Sequence, residues 1–166
     1  LKACEASTAK VLASKIGDSG KFYTSDYGKL GAKAVQKAME GFLTTMQQSF
    51  NDMIENGRSI VVNITFDEMS DYDTATEVGE DGFELRDVLE LWMEENAYKN
   101  YYHIQGTTDK KMIFDEVRIP LKDPKTGRNY NVNKFSMSLA MFFKQYGMHV
   151  ERTLNGGTIY TTVRSI

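Results

Sequence analysis

Three carboxylates, Asp71, Asp73 and Glu77, lie within one turn of chain, the kind of grouping that gathers oxygen ligands for calcium. A twelve-residue calcium loop counted from Asp71 would need a ligand at Ala75, glycine at Thr76 and glutamate at Gly82, and the sequence meets none of the three. An irregular ion site is the only metal reading that these residues support. His103 and His149 stand 46 residues apart without a neighbouring cysteine or histidine, so zinc spacing is missing. Ser136 and Ser138 fall on an amphipathic stretch and read as exposed polar positions, with no Gly-x-Ser-x-Gly elbow to activate a hydroxyl. Gly79-Glu80-Asp81-Gly82 carries two carboxylates that would repel a phosphate. Tyr101, Tyr102 and Phe114 occupy strand positions where bases could stack. They lack the aromatic-glycine-basic signature of RNA binders and read instead as core or cross-strand pairs. No catalytic residue and no cofactor is expected, and the chain reads as a protein that is not an enzyme.

Charge is distributed unevenly. Between Asp67 and Glu95 there are twelve acidic residues and one basic residue, whereas from Lys110 to Arg164 there are ten basic and four acidic. With a net charge of −3, this polarity argues against a general nucleic-acid binder and is compatible with complementary protein surfaces. The acidic stretch 67–81 is expected to be a mobile, solvated loop. A hydrophobic content of 41% is that of a globular chain, and no apolar run reaches membrane-spanning length. The single cysteine, Cys4, excludes an internal disulfide and is expected to be a small buried residue. Any lipid anchor would lie upstream of this chain.

The elements that hold these residues can be placed by periodicity. Ala3, Ala6, Ala9, Leu12, Ala13 and Ile16 could line a helix, but 6–9 reads equally as a turn between strands 2–5 and 10–16. Val35, Ala38, Met39, Phe42, Met46, Phe50 and Met53 recur at helical spacing over residues 29–56, and Gly57 stops that helix. Gly41 within it implies close approach by another element. Residues 59–66 form a β-branched run suited to a buried strand. A helix opens at Asp81, with Glu84 completing a capping box, and carries Leu85, Val88, Leu89 and Trp92. Strands 101–107 and 112–119 follow as a hairpin. Asp123-Pro124-Lys125-Thr126-Gly127 is a turn, a helix carries Phe135, Leu139, Phe142 and Tyr146, and strands 148–154 and 158–164 flank Asn155-Gly156-Gly157. Val62, Leu85, Trp92, Phe135, Leu139 and Phe142 are expected to share one core. The order from residue 59 implies an α+β fold, a ferredoxin-like βαββαβ unit with an added C-terminal strand. A short N-terminal hairpin and one long helix (1–57) precede this domain (58–166).

Residues 6–14 and 25–29, followed by an alanine-rich helix, resemble the end of a CsgG-type domain of outer-membrane assembly factors. Asn56-Gly57-Arg58 with the strand after it, and Val117-Arg118-Ile119-Pro120-Leu121, are similar to a family of Bacteroidetes cell-envelope proteins related in design to FlgT-type modules. The resemblance favours strands over a helix at the N-terminus. It implies a periplasmic or outer-membrane-associated scaffold that is not catalytic and works through a protein partner or self-association. The competing expectation is a small-molecule or ion-binding domain using the acidic loop 67–81. Strand 158–164, uncharged until Arg164, is expected to offer Ile159, Thr161 and Val163 as an interaction edge, paired with the N-terminal strands or with a second subunit.

Overall fold

Residues 1–6 and 8–165 are described by a computed structural model of the chain, which divides into two units, Leu1–Glu55 and Asn56–Ile166. In the first unit, β1 (Lys2–Cys4) and β2 (Val11–Ser14) pair antiparallel with Ala3 opposite Ala13, so the N-terminal segment is strands and not a helix. Cys4 is exposed on this hairpin, contrary to expectation, because a three-residue strand in a two-stranded sheet has too little cover to bury it. Helix α1 runs from Tyr27 to Asn56 and ends before Gly57, whose φ of +77° ends right-handed helix geometry.

At 100° per residue, Ala34, Ala38, Gly41, Thr45 and Ser49 fall on one side of α1. Residues 12–17 lie along that side. The Ser49 hydroxyl donates to the Leu12 carbonyl at 2.6 Å, and a Cβ on Gly41 would sit 3.5 Å from the Lys15 stem. Gly17 comes closer still: a Cβ there would be 2.1 Å from the Ala34 carbonyl oxygen, so only glycine fits. The close approach expected at Gly41 is therefore real. Small residues admit the backbone, and the large apolar residues lie elsewhere on the helix.

The second unit begins with β3 (Arg58–Phe66). A two-residue hairpin, β4 (Glu77–Val78) and β5 (Phe83–Glu84), leads into α2 (Leu85–Asn96) and a 3-10 turn (Tyr98–Asn100). Then come β6 (Tyr102–Thr108), β7 (Lys111–Ile119), α3 (Val132–Gln145), β8 (His149–Asn155) and β9 (Thr158–Arg164). Helix α2 starts three residues later than the capping box implied. Gly82, at φ +66°, interrupts right-handed winding, and Glu84, paired with Glu77 across the small hairpin, takes the N-cap position without a side-chain capping bond. Asn131 caps α3, its side chain accepting from the Lys134 amide at 2.9 Å.

The fold is α+β, with the N-terminal hairpin and the long helix as expected, and with the expected strand–helix order apart from the added β4–β5 hairpin before α2. The five-stranded sheet has the order β6-β7-β3-β9-β8, antiparallel except for β3 and β9. In a simple ferredoxin-like unit the strand following the second helix would pair with the first strand. Here the last strand takes that place and β8 lies outside it. The composition explains the choice: β9 is uncharged up to Arg164 and is buried between two neighbours, whereas β8 carries Glu151 and Arg152 at the solvent edge.

Alternate residues of β3 (Ile60, Val62, Ile64 and Phe66) point into one core with Leu85, Leu89 and Met93 of α2 and with Phe135, Leu139, Phe142 and Phe143 of α3. Trp92 joins them half-buried, its ring centroid 5.6 Å from those of both Phe135 and Phe142. The six expected core residues therefore do meet. Among the described residues no helix is long and apolar enough to cross a membrane.

Candidate functional site

The acidic loop does not gather its carboxylates. Asp73 accepts from the Ala75 amide at 3.0 Å and the Thr76 hydroxyl at 2.9 Å, closing its own turn. Asp71 faces Ser165, whose hydroxyl accepts from the Asp71 amide at 3.0 Å, and Glu77 lies on β4. Among the described residues no group of three or more His, Cys, Asp or Glu is placed to hold a metal ion. Asp71, Asp73 and Glu77 thus point to separate partners and do not converge on one point.

The loop is also pinned, where a mobile segment was expected. Lys110 donates to the carbonyls of Ser70 and Tyr72 at 2.9 and 3.0 Å. Buried Thr74 donates its hydroxyl to the Thr108 carbonyl at 3.1 Å and its amide to the Asp109 carbonyl at 2.9 Å. Arg164 binds Asp67 at 3.1 Å.

The other singled-out residues have structural partners. His103 meets the Asp115 carboxylate at 2.6 Å on the exposed side of the sheet. Ser136, expected on the surface, is fully buried and accepts from Arg152 at 3.1 Å, because α3 turns a broader side toward the sheet than its aromatic spacing indicated. Tyr102 packs edge-on to Phe114 and donates its hydroxyl to Glu90 at 3.0 Å. Burial, reinforced by that carboxylate, pushes the Tyr102 phenol up to about 12. Tyr101 is exposed, with the Arg118 guanidinium 5.5 Å from its ring.

The expected interaction edge is corrected by the sheet order. Thr161 pairs with Ile64 of β3 on one side and Arg152 of β8 on the other, and Ile159, Thr161 and Val163 are all buried. They are interior positions and cannot accept another strand. The partners of β9 are β3 and β8, in place of the N-terminal strands or a second subunit.

Two features that were not expected in the sequence remain. The first is on α1, where Val35, Met39, Leu43, Phe50 and Ile54 are all exposed, Leu43 by 56% and Ile54 by 68%. They follow one another at intervals of four or seven residues and so form a row on a side of the helix turned away from the small residues. Among the described residues of Leu1–Glu55 only two apolar side chains, Ala13 and Ala38, are buried.

The second is a cavity of about 360 Å³ between the end of α2, the 3-10 turn, the 120–130 loop and the start of α3. Asp123, on the predicted turn, is buried and accepts from the amides of Lys125 and Thr126 at 2.8 and 3.1 Å. It also forms an ion pair with Lys134. That ammonium and the two amides hold the Asp123 carboxyl at about 2, well below its ordinary range. Half-buried Tyr130 beside it is shifted upward by burial and by the Asp123 charge. The Asp-Pro-x-x-Gly turn followed by Asn-x-x-Lys is the sequence signal that would have located this pair.

Residues 58–163, more than half of the chain, match the model of a family described as a domain of unknown function, DUF6175. No curated protein and no solved structure matches the chain.

Proposed function

We propose that this chain, which belongs to the DUF6175 family, is a non-catalytic module of a bacterial cell-envelope protein that works through protein–protein contact at α1. The observation that carries the proposal is the uncovered stripe Val35, Met39, Leu43, Phe50 and Ile54. Isolated exposed apolar residues are ordinary on a protein surface, but a contiguous row along a helix marks an interaction site. Burying each such side chain contributes roughly 1–2 kcal/mol, so several together supply the apolar centre of an interface. The partner that this reading selects is a second copy of the chain, since two such stripes are alike and self-complementary.

The non-catalytic part of the reading is supported by the state of the polar groups. Ser136, Tyr102 and Asp123 are each engaged by a fixed partner within the fold. The envelope setting, periplasmic or outer-membrane associated, is supported by the resemblance of the hairpin and helix to CsgG-type domain ends and of 56–58 and 117–121 to Bacteroidetes envelope proteins. A photo-crosslinker placed at Leu43 or Phe50 of the purified protein should give covalent dimers, and one at Asn51 on the polar side of α1 should not. Equal yields at all three positions would count against the reading.

A further inference from the structure

We propose that the cavity beside α3 binds a small molecule carrying a carboxylate or phosphate group, held by Lys99, Lys125 and Lys134. The proposal does not depend on the α1 interface. From Arg58 to Arg164 the unit has seventeen acidic residues and thirteen basic ones, yet three lysines line this one concavity. Against them stand Asp123 and Glu95, which leaves one excess positive charge at the cavity wall. Its volume of about 360 Å³ lies in the range of small-molecule sites.

The lysines are positioned in different ways. The pair with Asp123 fixes Lys134 while its side chain stays 48% exposed, so the ammonium keeps donors for a ligand. Lys125 stands on the exposed turn whose backbone amides hold Asp123. Lys99 is held at φ +56°, and Asn100 after it is also at +56°, although neither is glycine. A residue such as lysine rarely occupies that region, and backbone strain of this kind concentrates at binding sites. The Lys99 ammonium meets the neutral side-chain amide of Asn56 at 2.9 Å, which orients it without cancelling its charge. Tyr98 and Tyr130 provide ring walls, with lysine ammonium groups 5.8 and 5.3 Å from their centroids.

The test is an amide-resolved NMR titration of the full chain with sodium phosphate and, separately, sodium citrate, at ionic strength held constant with sodium chloride. The expected result is saturable shifts centred on Tyr98, Lys99, Lys125, Thr126 and Lys134 with at least one of the two anions. Saturation by phosphate alone assigns a phosphate ligand, and saturation by citrate alone assigns a carboxylate. Lys99→Gly and Lys125→Ala should each weaken binding about tenfold, the loss expected for one charge-assisted hydrogen bond. Lys99→Gly should not lower the melting temperature without anion, because glycine adopts the left-handed backbone freely. Linear shifts with both anions, or wild-type affinity in both variants, would overturn the proposal.

Discussion

The Ser49 hydroxyl donates to the Leu12 carbonyl at 2.6 Å, and with that bond the extended segment 12–17 is tied to the small-residue side of α1. The arrangement divides the helix surface. Alanine, glycine, threonine and serine receive the segment, Phe42, Met46 and Met53 next to them are half-buried, and the large side chains further round the helix stay uncovered. An amphipathic helix would ordinarily bury its large residues first. Here the intramolecular contact uses the small ones, which is why the remaining stripe reads as a surface for a partner.

If backbone approach holds the segment there, Gly17→Ala should release it. The added methyl would lie 2.1 Å from the Ala34 carbonyl, and relieving that overlap costs about 1–3 kcal/mol. Hydrogen exchange at the amides of Val11–Ser14 should accelerate while exchange across β3 and β9 stays unchanged. Wild-type protection in the variant would mean that the segment does not depend on this contact.

Thr161 offers a test of the sheet order. Its hydroxyl is buried, between β3 and β8, without a hydrogen-bond partner among the described residues. Thr161→Val removes that unsatisfied group at nearly constant shape and should stabilise the fold by about 1 kcal/mol in chemical denaturation. Were β9 an open edge, the hydroxyl would be hydrated and the same change neutral or unfavourable.

Packing around α3 predicts a graded pair of losses. Phe143 is fully buried, edge-on to Phe66 and Phe142, and Phe143→Ala should cost about 4 kcal/mol. Trp92 is only half-buried, so Trp92→Ala should cost less, about 3 kcal/mol, despite the larger ring. Unfolding curves that reverse this order would contradict the placement of Trp92 at the margin of the core.

The Asp123–Lys134 pair sets a pH dependence. The folded carboxyl titrates at about 2, below its ordinary 3.8, so the charged form is favoured by folding. Its contribution is complete above about pH 4 and is lost as pH falls from there through about 2. Asp123→Asn should therefore lower the melting temperature at pH 6 and flatten the acid limb between pH 4 and 2. An acid limb of unchanged steepness would remove this pair from the account.

Much of the fold is legible in the sequence because it is written locally. The β-branched run through Val62, the helical spacing of Phe135, Leu139 and Phe142, and the Asn155-Gly156-Gly157 turn each specify an element from its own neighbourhood. Strand order is not local: β8 and β9 both have strand character, and only burial of both flanks of β9 separates them. The acidic loop misled for a related reason. Its charge count implies repulsion, but the groups that restrain it, Lys110 and Arg164, come from far along the chain. The cavity was the least legible feature, since its walls come from segments as distant as Glu95 and Ser138, and no glycine marks the left-handed backbone at Lys99 and Asn100.

Sedimentation velocity over a concentration series, comparing the wild type with the Leu43→Glu/Phe50→Glu double variant, shows whether α1 joins two copies of the chain. The wild type should associate as concentration rises. The double variant should remain a monomer with an unaltered melting transition, because both side chains are already exposed in the single chain. A wild type that sediments as a monomer throughout, or a double variant that associates equally well, would contradict the assignment of α1 as a contact surface.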